Sequence, residues 1–301
     1  MNRADKIFGL RKAELRFGAS GAALLFLLAA CSVRYPELVP PISGNRMIDR
    51  PPFILELPVG EGALLYFGAV HTRDPSHAQF DAIRDNWSRF RPDLAFSEGF
   101  VRPLEASPDR AVRRHGEQGL LRWLAARDDI SLRCFDPSLV QQARFLKRRF
   151  PPGVIMLYFV VREAAVRRRL GLDFRPEVQA RYFLIRLGRI PGFGAAPRKP
   201  EGLHDLFRRM FPWVGDWTDV PEAFFYREED GGILAGTHRS LNEYRDRVMM
   251  TRIIDAVGKG RRVFAVAGRR HLIEQASDLR SLAAMNRMNP VGPPMRIRKE
   301  E

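Results

Sequence analysis

Two segments far apart in the chain share one form. Tyr66-Phe67-Gly68-Ala69-Val70-His71 is an apolar run, a glycine, two residues and a histidine, and Val266-Ala267-Gly268-Arg269-Arg270-His271 repeats it. A further apolar run ends at Ser97-Glu98-Gly99, and another at Phe135-Asp136-Pro137. If these runs are strands of one parallel sheet, the residues after their carboxyl ends face a common crevice, where open α/β sheets bind ligands. Glycine at a strand end permits a sharp turn and close backbone approach. Two neutral imidazoles with one or two carboxylates suit a divalent ion such as zinc, manganese or iron. Without a metal the same set suits general acid–base catalysis. His71, Glu98 and His271 are therefore the candidate metal or acid–base site, and Asp136 is a weaker fourth member.

The other histidines read differently. His77 follows Pro75-Ser76 and reads as a solvated residue in the first turn of a helix. His238, within Gly236-Thr237-His238-Arg239, reads as a loop residue. His115 and His204 sit among polar residues and read as surface. Cys134 lies in an apolar, strand-like run and reads as a buried, inert thiol.

The elements that must hold these groups follow from periodicity. Apolar runs at 63–67, 93–97 and 131–135 alternate with helical spacing at 75–90 (Ala78, Phe80, Ile83, Trp87, Phe90) and 111–126 (Leu120, Leu121, Trp123, Leu124). That alternation predicts a parallel sheet with right-handed crossovers. From 138 to about 236 no strand pattern occurs, which predicts a largely helical insertion covering one end of the sheet, as a lid or an oligomer interface. Ser240-Leu241-Asn242-Glu243 has the form of a capping box, opening a helix to about Val257, and 262–267 is the last strand. The fold class expected is α/β: a mixed, mostly parallel sheet flanked by helices, with that insertion.

The resulting order of motifs resembles the TraB/GumN/TIKI group, with its erythromycin-esterase-like and ChaN-like relatives. The residues that carry the resemblance are Gly68 to His71, Glu98, Arg245-Asp246-Arg247-Val248-Met249, and Gly268 to His271. It spans about Leu64 to Leu272, and the stretch from Ser138 to Thr237 carries no matching motif. The resemblance implies a mixed α/β fold and a pocket in which His71, Glu98, Arg245 and His271 are functional. It implies a hydrolase of peptide or ester bonds, metal-dependent in some branches, or a haem-binding lipoprotein in the ChaN-like branch. Arg245 would balance Glu98 or hold a substrate carboxylate, and Asp246 would support Arg245 or a histidine. The chain departs from the pattern at Ala69, where threonine is common, and at Arg269 and Arg270, where small residues are usual. For haem, an exposed His or Tyr over an apolar platform is required; Tyr66 and Tyr158 do not decide it.

The chain start reads as an export signal. Five basic residues (Arg3, Lys6, Arg11, Lys12, Arg16) precede an apolar stretch from Gly21 to Ala30, too short to span a bilayer. Leu28-Ala29-Ala30-Cys31 has the form of a bacterial lipobox, in which the cysteine thiol accepts the lipid. Ser32 after it favours the outer membrane, facing the periplasm. The domains expected are a lipoprotein signal peptide at 1–30, a proline-rich tether at 31–52 and one α/β domain at 53–301.

Composition bounds the rest. The chain has 301 residues, 45% hydrophobic and 28% charged, which is globular rather than disordered. Two cysteines exclude a disulfide scaffold. Lys and Arg number 50 against 35 Asp and Glu, a net +15. Arg-rich segments at 147–149, 167–169 and 208–209 come with no nucleic-acid module and read either as solvated helix faces or as attracted to anionic lipid head groups; the partners expected are the membrane, through the lipid on Cys31, and a peptide or small-molecule ligand, not nucleic acid.

Overall fold

The computed structural model describes residues 53–172 and 175–288. The leader, the tether and Cys31 lie outside the described residues. The strands are β1 (Phe53–Val59), β2 (Gly62–Ala69), β3 (Leu94–Ser97), β4 (Ser131–Cys134) and β5 (Arg262–Gly268). They form one sheet in the order β1-β2-β5-β3-β4, with β1 antiparallel to β2 and the other neighbours parallel. β2 and β5 are apolar along nearly their whole length because both of their faces are covered. β1 is a strand that the periodicity reading did not mark. Pro58 near its end and its alternating burial identify a one-sided edge strand. Gly60, at φ 58°, makes the two-residue turn into β2.

Helices cover both faces. On one face, Leu65, Phe67, Phe264 and Val266 pack against α1 (Gln79–Phe90) and α2 (Pro108–Arg127), through Phe80, Ile83, Trp87, Leu120 and Leu124. On the other, Leu64, Tyr66, Val263 and Phe96 meet Met249 and Ile253, with Leu272 and Leu279 beside them. A third core belongs to the insertion. Here α3 (Leu139–Leu146), α4 (Pro152–Arg169), α5 (Pro176–Gly188) and α6 (Pro200–Met210) are followed by two short 3₁₀ turns, and no strand occurs among its described residues. Three of these helices begin with a proline, which costs nothing where the N–H has no partner. The run from Val154 to Val161 is buried on all sides as the centre of this bundle. Among the described residues no helix is long and apolar enough to cross a membrane. Among the described residues, the sheet, its helices and the insertion belong to one compact unit. That unit contains all three cores, which is the mark of a piece that folds by itself.

Three helix starts differ from the sequence expectation. α2 opens at Pro108 rather than Ala111, behind its Ser107 cap. α1 begins at Gln79, because Pro75 to Ala78 is a turn in which the Asp74 carboxylate accepts from the Ser76 N–H at 3.0 Å. α7 (Glu228–Gly258) begins well before the apparent capping box, so Ser240 and Glu243 lie inside it. The Ser240 hydroxyl accepts from Arg149 at 3.3 Å instead of capping. The glycines at 231, 232 and 236 disguised the helical period, and Leu234 and Leu241 continue it into the insertion core. Gly232 bends the helix at φ 46°, ψ −123°. His238 is consequently a helical residue, not a loop residue.

Candidate functional site: two braced imidazoles around a buried glutamate

β5 lies between β2 and β3, and this places the three motifs together. Ala69 pairs with Gly268, and Ser97 pairs with Val266. All three chains therefore leave the sheet at the same edge. Glu98 extends the ladder by one bond, N–H to the Val266 carbonyl at 3.1 Å, and Phe135 bonds to the Ser97 carbonyl at 3.2 Å. The second pairing brings Asp136 to the same edge.

Glu98 is the hub. Its Oε1 accepts from Arg245 Nη2 at 2.7 Å and lies 3.5 Å from His271 Nε2, while its Oε2 accepts the Gly268 N–H at 2.8 Å. That N–H stands at the start of α8 (Arg269–Met288), a favourable place for a carboxylate. Arg245 projects from the middle of α7 and grips both oxygens of Asp136, at 2.8 and 2.8 Å. Arg252, two turns on, donates to the carbonyls of Cys134 and Asp136 and pins the end of β4.

Each imidazole is braced by its own carboxylate. His271 sits in the first turn of α8, with Nδ1 2.6 Å from Asp246 Oδ1, an oxygen that Gln275 also donates to at 2.6 Å. His71 follows β2, with Nδ1 2.8 Å from Glu117 Oε1. With Nδ1–H donating to the carboxylate, the Nε2 of each ring is left for the crevice. Gln79 clamps the backbone before His71, accepting from the Val70 N–H at 2.9 Å and donating to the Val70 carbonyl at 2.7 Å. The face of Gly268 is where the groups converge: a Cβ there would lie 3.0 Å from His71 Nε2 and 3.5 Å from Glu98 Oε2.

The charges follow from the contacts. Burial pushes the Glu98 pKa up, but the His271 and Arg245 cations outweigh it and hold the carboxyl well below its usual range. Burial likewise pushes His271 down, and Glu98 and Asp246 outweigh it and raise it to about 9, so this ring is a cation at neutral pH. Arg245 loses water on burial, but Asp136 and Glu98 keep it charged. The hydrogen bond to Glu117 raises His71 against its own burial. Arg169, itself paired with Glu222 at 3.0 Å, acts on His71, and Arg73, Glu117 and Glu163 act on Arg102, so the charges around the crevice are mixed. The loop after Glu98 adds three exposed apolar side chains, Phe100, Val101 and Leu104.

The structure thus brings together His71, Glu98, Arg245 and His271, with Asp136 and Asp246 beside them. Glu117, Gln79 and Gln275 were not singled out from the sequence. The signal for Glu117 was the glycine before it: Gly116 has φ 60°, ψ −142°, and a Cβ there would lie 2.9 Å from the Thr72 carbonyl oxygen. His77 is exposed, as expected, but it lies in the turn before α1 and not in the first turn of a helix. His115 is partly buried, with Nε2 3.2 Å from Glu105. His204, partly buried, lies 3.2 Å from Asp216. His238 is buried between Tyr158, 2.8 Å from its Nδ1, and Asn242, 2.9 Å from its Nε2. Burial and the arginines 162, 270 and 245 lower its pKa to about 2. Cys134 is half-buried, and burial raises its thiol.

Among the described residues, no three His, Cys, Asp or Glu side chains gather closely enough to hold a metal ion. In the arrangement seen, both Glu98 oxygens are engaged by Arg245 and the Gly268 N–H. Tyr66 and Tyr158 are both fully buried, Tyr66 with an unpartnered hydroxyl and Tyr158 bonded to His238. No protein family, no curated protein and no solved structure matches this chain.

Proposed function

We propose that this chain is a hydrolase of ester or peptide bonds, carried on the bacterial envelope by a lipid on Cys31. The observation that carries the reading is the convergence of His71 Nε2 and Glu98 Oε2 on the face of Gly268, with His71 braced by Glu117. Neutral His71 takes a proton from water at Nε2 as the oxygen attacks the substrate carbonyl carbon. Glu98, kept ionised by Arg245 and His271, accepts the second hydrogen of that water and orients it. When the carbon–oxygen or carbon–nitrogen bond breaks, His71 returns its proton to the leaving group. The exposed apolar residues Phe100, Val101 and Leu104, in the loop after Glu98, favour substrates with an apolar part.

The assay is a panel of chromogenic acyl esters and peptides, run on the parent chain and His71→Gln. Hydrolysis lost at least a hundredfold in the variant supports the reading. A parent inactive on the whole panel, or a variant equal to it, overturns it.

A second reading has one observation in its favour. Each ring gives Nδ1 to a carboxylate and turns Nε2 inward, the pattern that supports metal-bound histidine. To hold a divalent ion, His71, Glu98 and His271 would have to draw closer than they stand and Glu98 would have to give up a present partner; the ion would then acidify a bound water. Stoichiometric metal in the purified chain, lost in His271→Ala, would favour this reading over the first.

A further inference from the structure

One face of α5 is apolar and uncovered. Val178, Tyr182 and Ile185 are 55%, 44% and 57% exposed. Their spacing of four and three puts them in a single stripe. The opposite face is spent on the insertion core, where Ala180, Phe183, Leu184 and Leu187 are buried. The outer face of a helix on a water-soluble bundle is ordinarily polar. Here it is apolar and bordered by arginine. At 3.6 residues per turn, Arg181 stands on one side of the stripe, Arg186 on the other and Arg189 along its line, and all three are exposed. The Arg186 guanidinium lies over the Tyr182 ring at 5.6 Å. Glu177, the helix's single acidic residue, lies away from the stripe.

We propose that this face of α5 rests on the surface of a membrane containing anionic lipid. An apolar stripe edged by cations is the pattern of helices that lie in the head-group boundary, the apolar side chains dipping below the phosphates and the arginines meeting them. A stripe from Val178 to Ile185 is about 10 Å long, enough for shallow seating and far short of a span. Charge argues against a second copy as the occupant. A two-fold contact sets the same patch against itself, so arginine would face arginine. The proposal is independent of the chemistry in the crevice.

Vesicle flotation of residues 42–301 tests it, with phosphatidylcholine alone and with phosphatidylglycerol added, at low and high salt. Flotation is expected only with phosphatidylglycerol, and weaker at high salt. Val178→Ser/Tyr182→Ser/Ile185→Ser should abolish it. Arg181→Gln/Arg186→Gln/Arg189→Gln should weaken it about fivefold per arginine, and this set keeps the test decisive if the serine set melts early. The proposal is overturned if parent and folded variants float alike or the parent does not float. Sedimentation as a dimer that the same substitutions dissolve would also overturn it.

Discussion

A single methyl group at position 268 would fall between the two groups assigned to the reacting water. Gly268 has ordinary backbone geometry, so Gly268→Ala should fold, with the Phe264 and Val266 packing intact. Its expected signature is hydrolysis reduced a hundredfold or more at nearly unchanged melting temperature; a variant as active as the parent would refute the position given to the water. Glu117→Gln addresses the brace. Glu117 raises His71, so the parent's rate should climb with pH along a limb lying above 6.5, as the ring loses its proton. The amide removes that cause, and the limb should move to lower pH while its plateau falls; a pH–rate profile of both proteins measures it. The histidines and Glu98 were legible because each stands within three residues of a strand end. Glu117 was not, since it lies mid-helix and reaches the site through a backbone break that periodicity does not register.

Helices α2 and α7 each carry a site residue past an irregularity. Gly116 holds positive φ with its face against the Thr72 carbonyl, so Gly116→Ala is strained in both respects. It should cost about 1–3 kcal/mol, visible as an earlier thermal transition, and should lower hydrolysis by displacing Glu117. A Gly116→Ala protein with parental stability and rate would show that the break positions nothing. α7 links the insertion to the crevice through side chains one turn apart. His238 meets Tyr158, Asn242 meets His238, and Arg245 meets Glu98 and Asp136. Arg245→Ala leaves Asp136 buried without its cation and Glu98 with His271 alone. The expected loss is about 3–5 kcal/mol in a denaturant melt. The sequence showed the Arg245 helix but set its start at Ser240, because a serine and a glutamate three apart look the same inside a helix as at its end. Only burial of Leu234 and Leu241 separates the two cases, and burial is a property of the fold.

Across the molecule, the coupled charges set how stability depends on pH. His271 binds its proton more tightly when folded, so its contribution is complete below its ordinary pKa of 6.5 and is lost as the pH rises through about 9. The loss is on the order of 3 kcal/mol. Glu98 acts in the opposite sense: its contribution is present above 4.5 and lost as the pH falls below that value. Melting temperature should therefore decline between pH 7 and pH 10, and the decline should be shallower in His271→Gln. Parallel declines in both proteins would dissociate the alkaline loss from this ring. The α/β class, the parallel core and the strandless insertion were readable from the sequence, since buried strands are continuous apolar runs. The order of the strands was not, because nothing local in Arg262–Gly268 states which neighbours it will take.

That order governs assembly. β5, made late in the chain, wedges between β2 and β3, which are made early. A polypeptide made only as far as Arg261 would leave β2 and β3 as two raw, greasy sheet margins with no crevice between them. Any truncation before Arg262 should therefore yield insoluble product rather than a smaller folded domain.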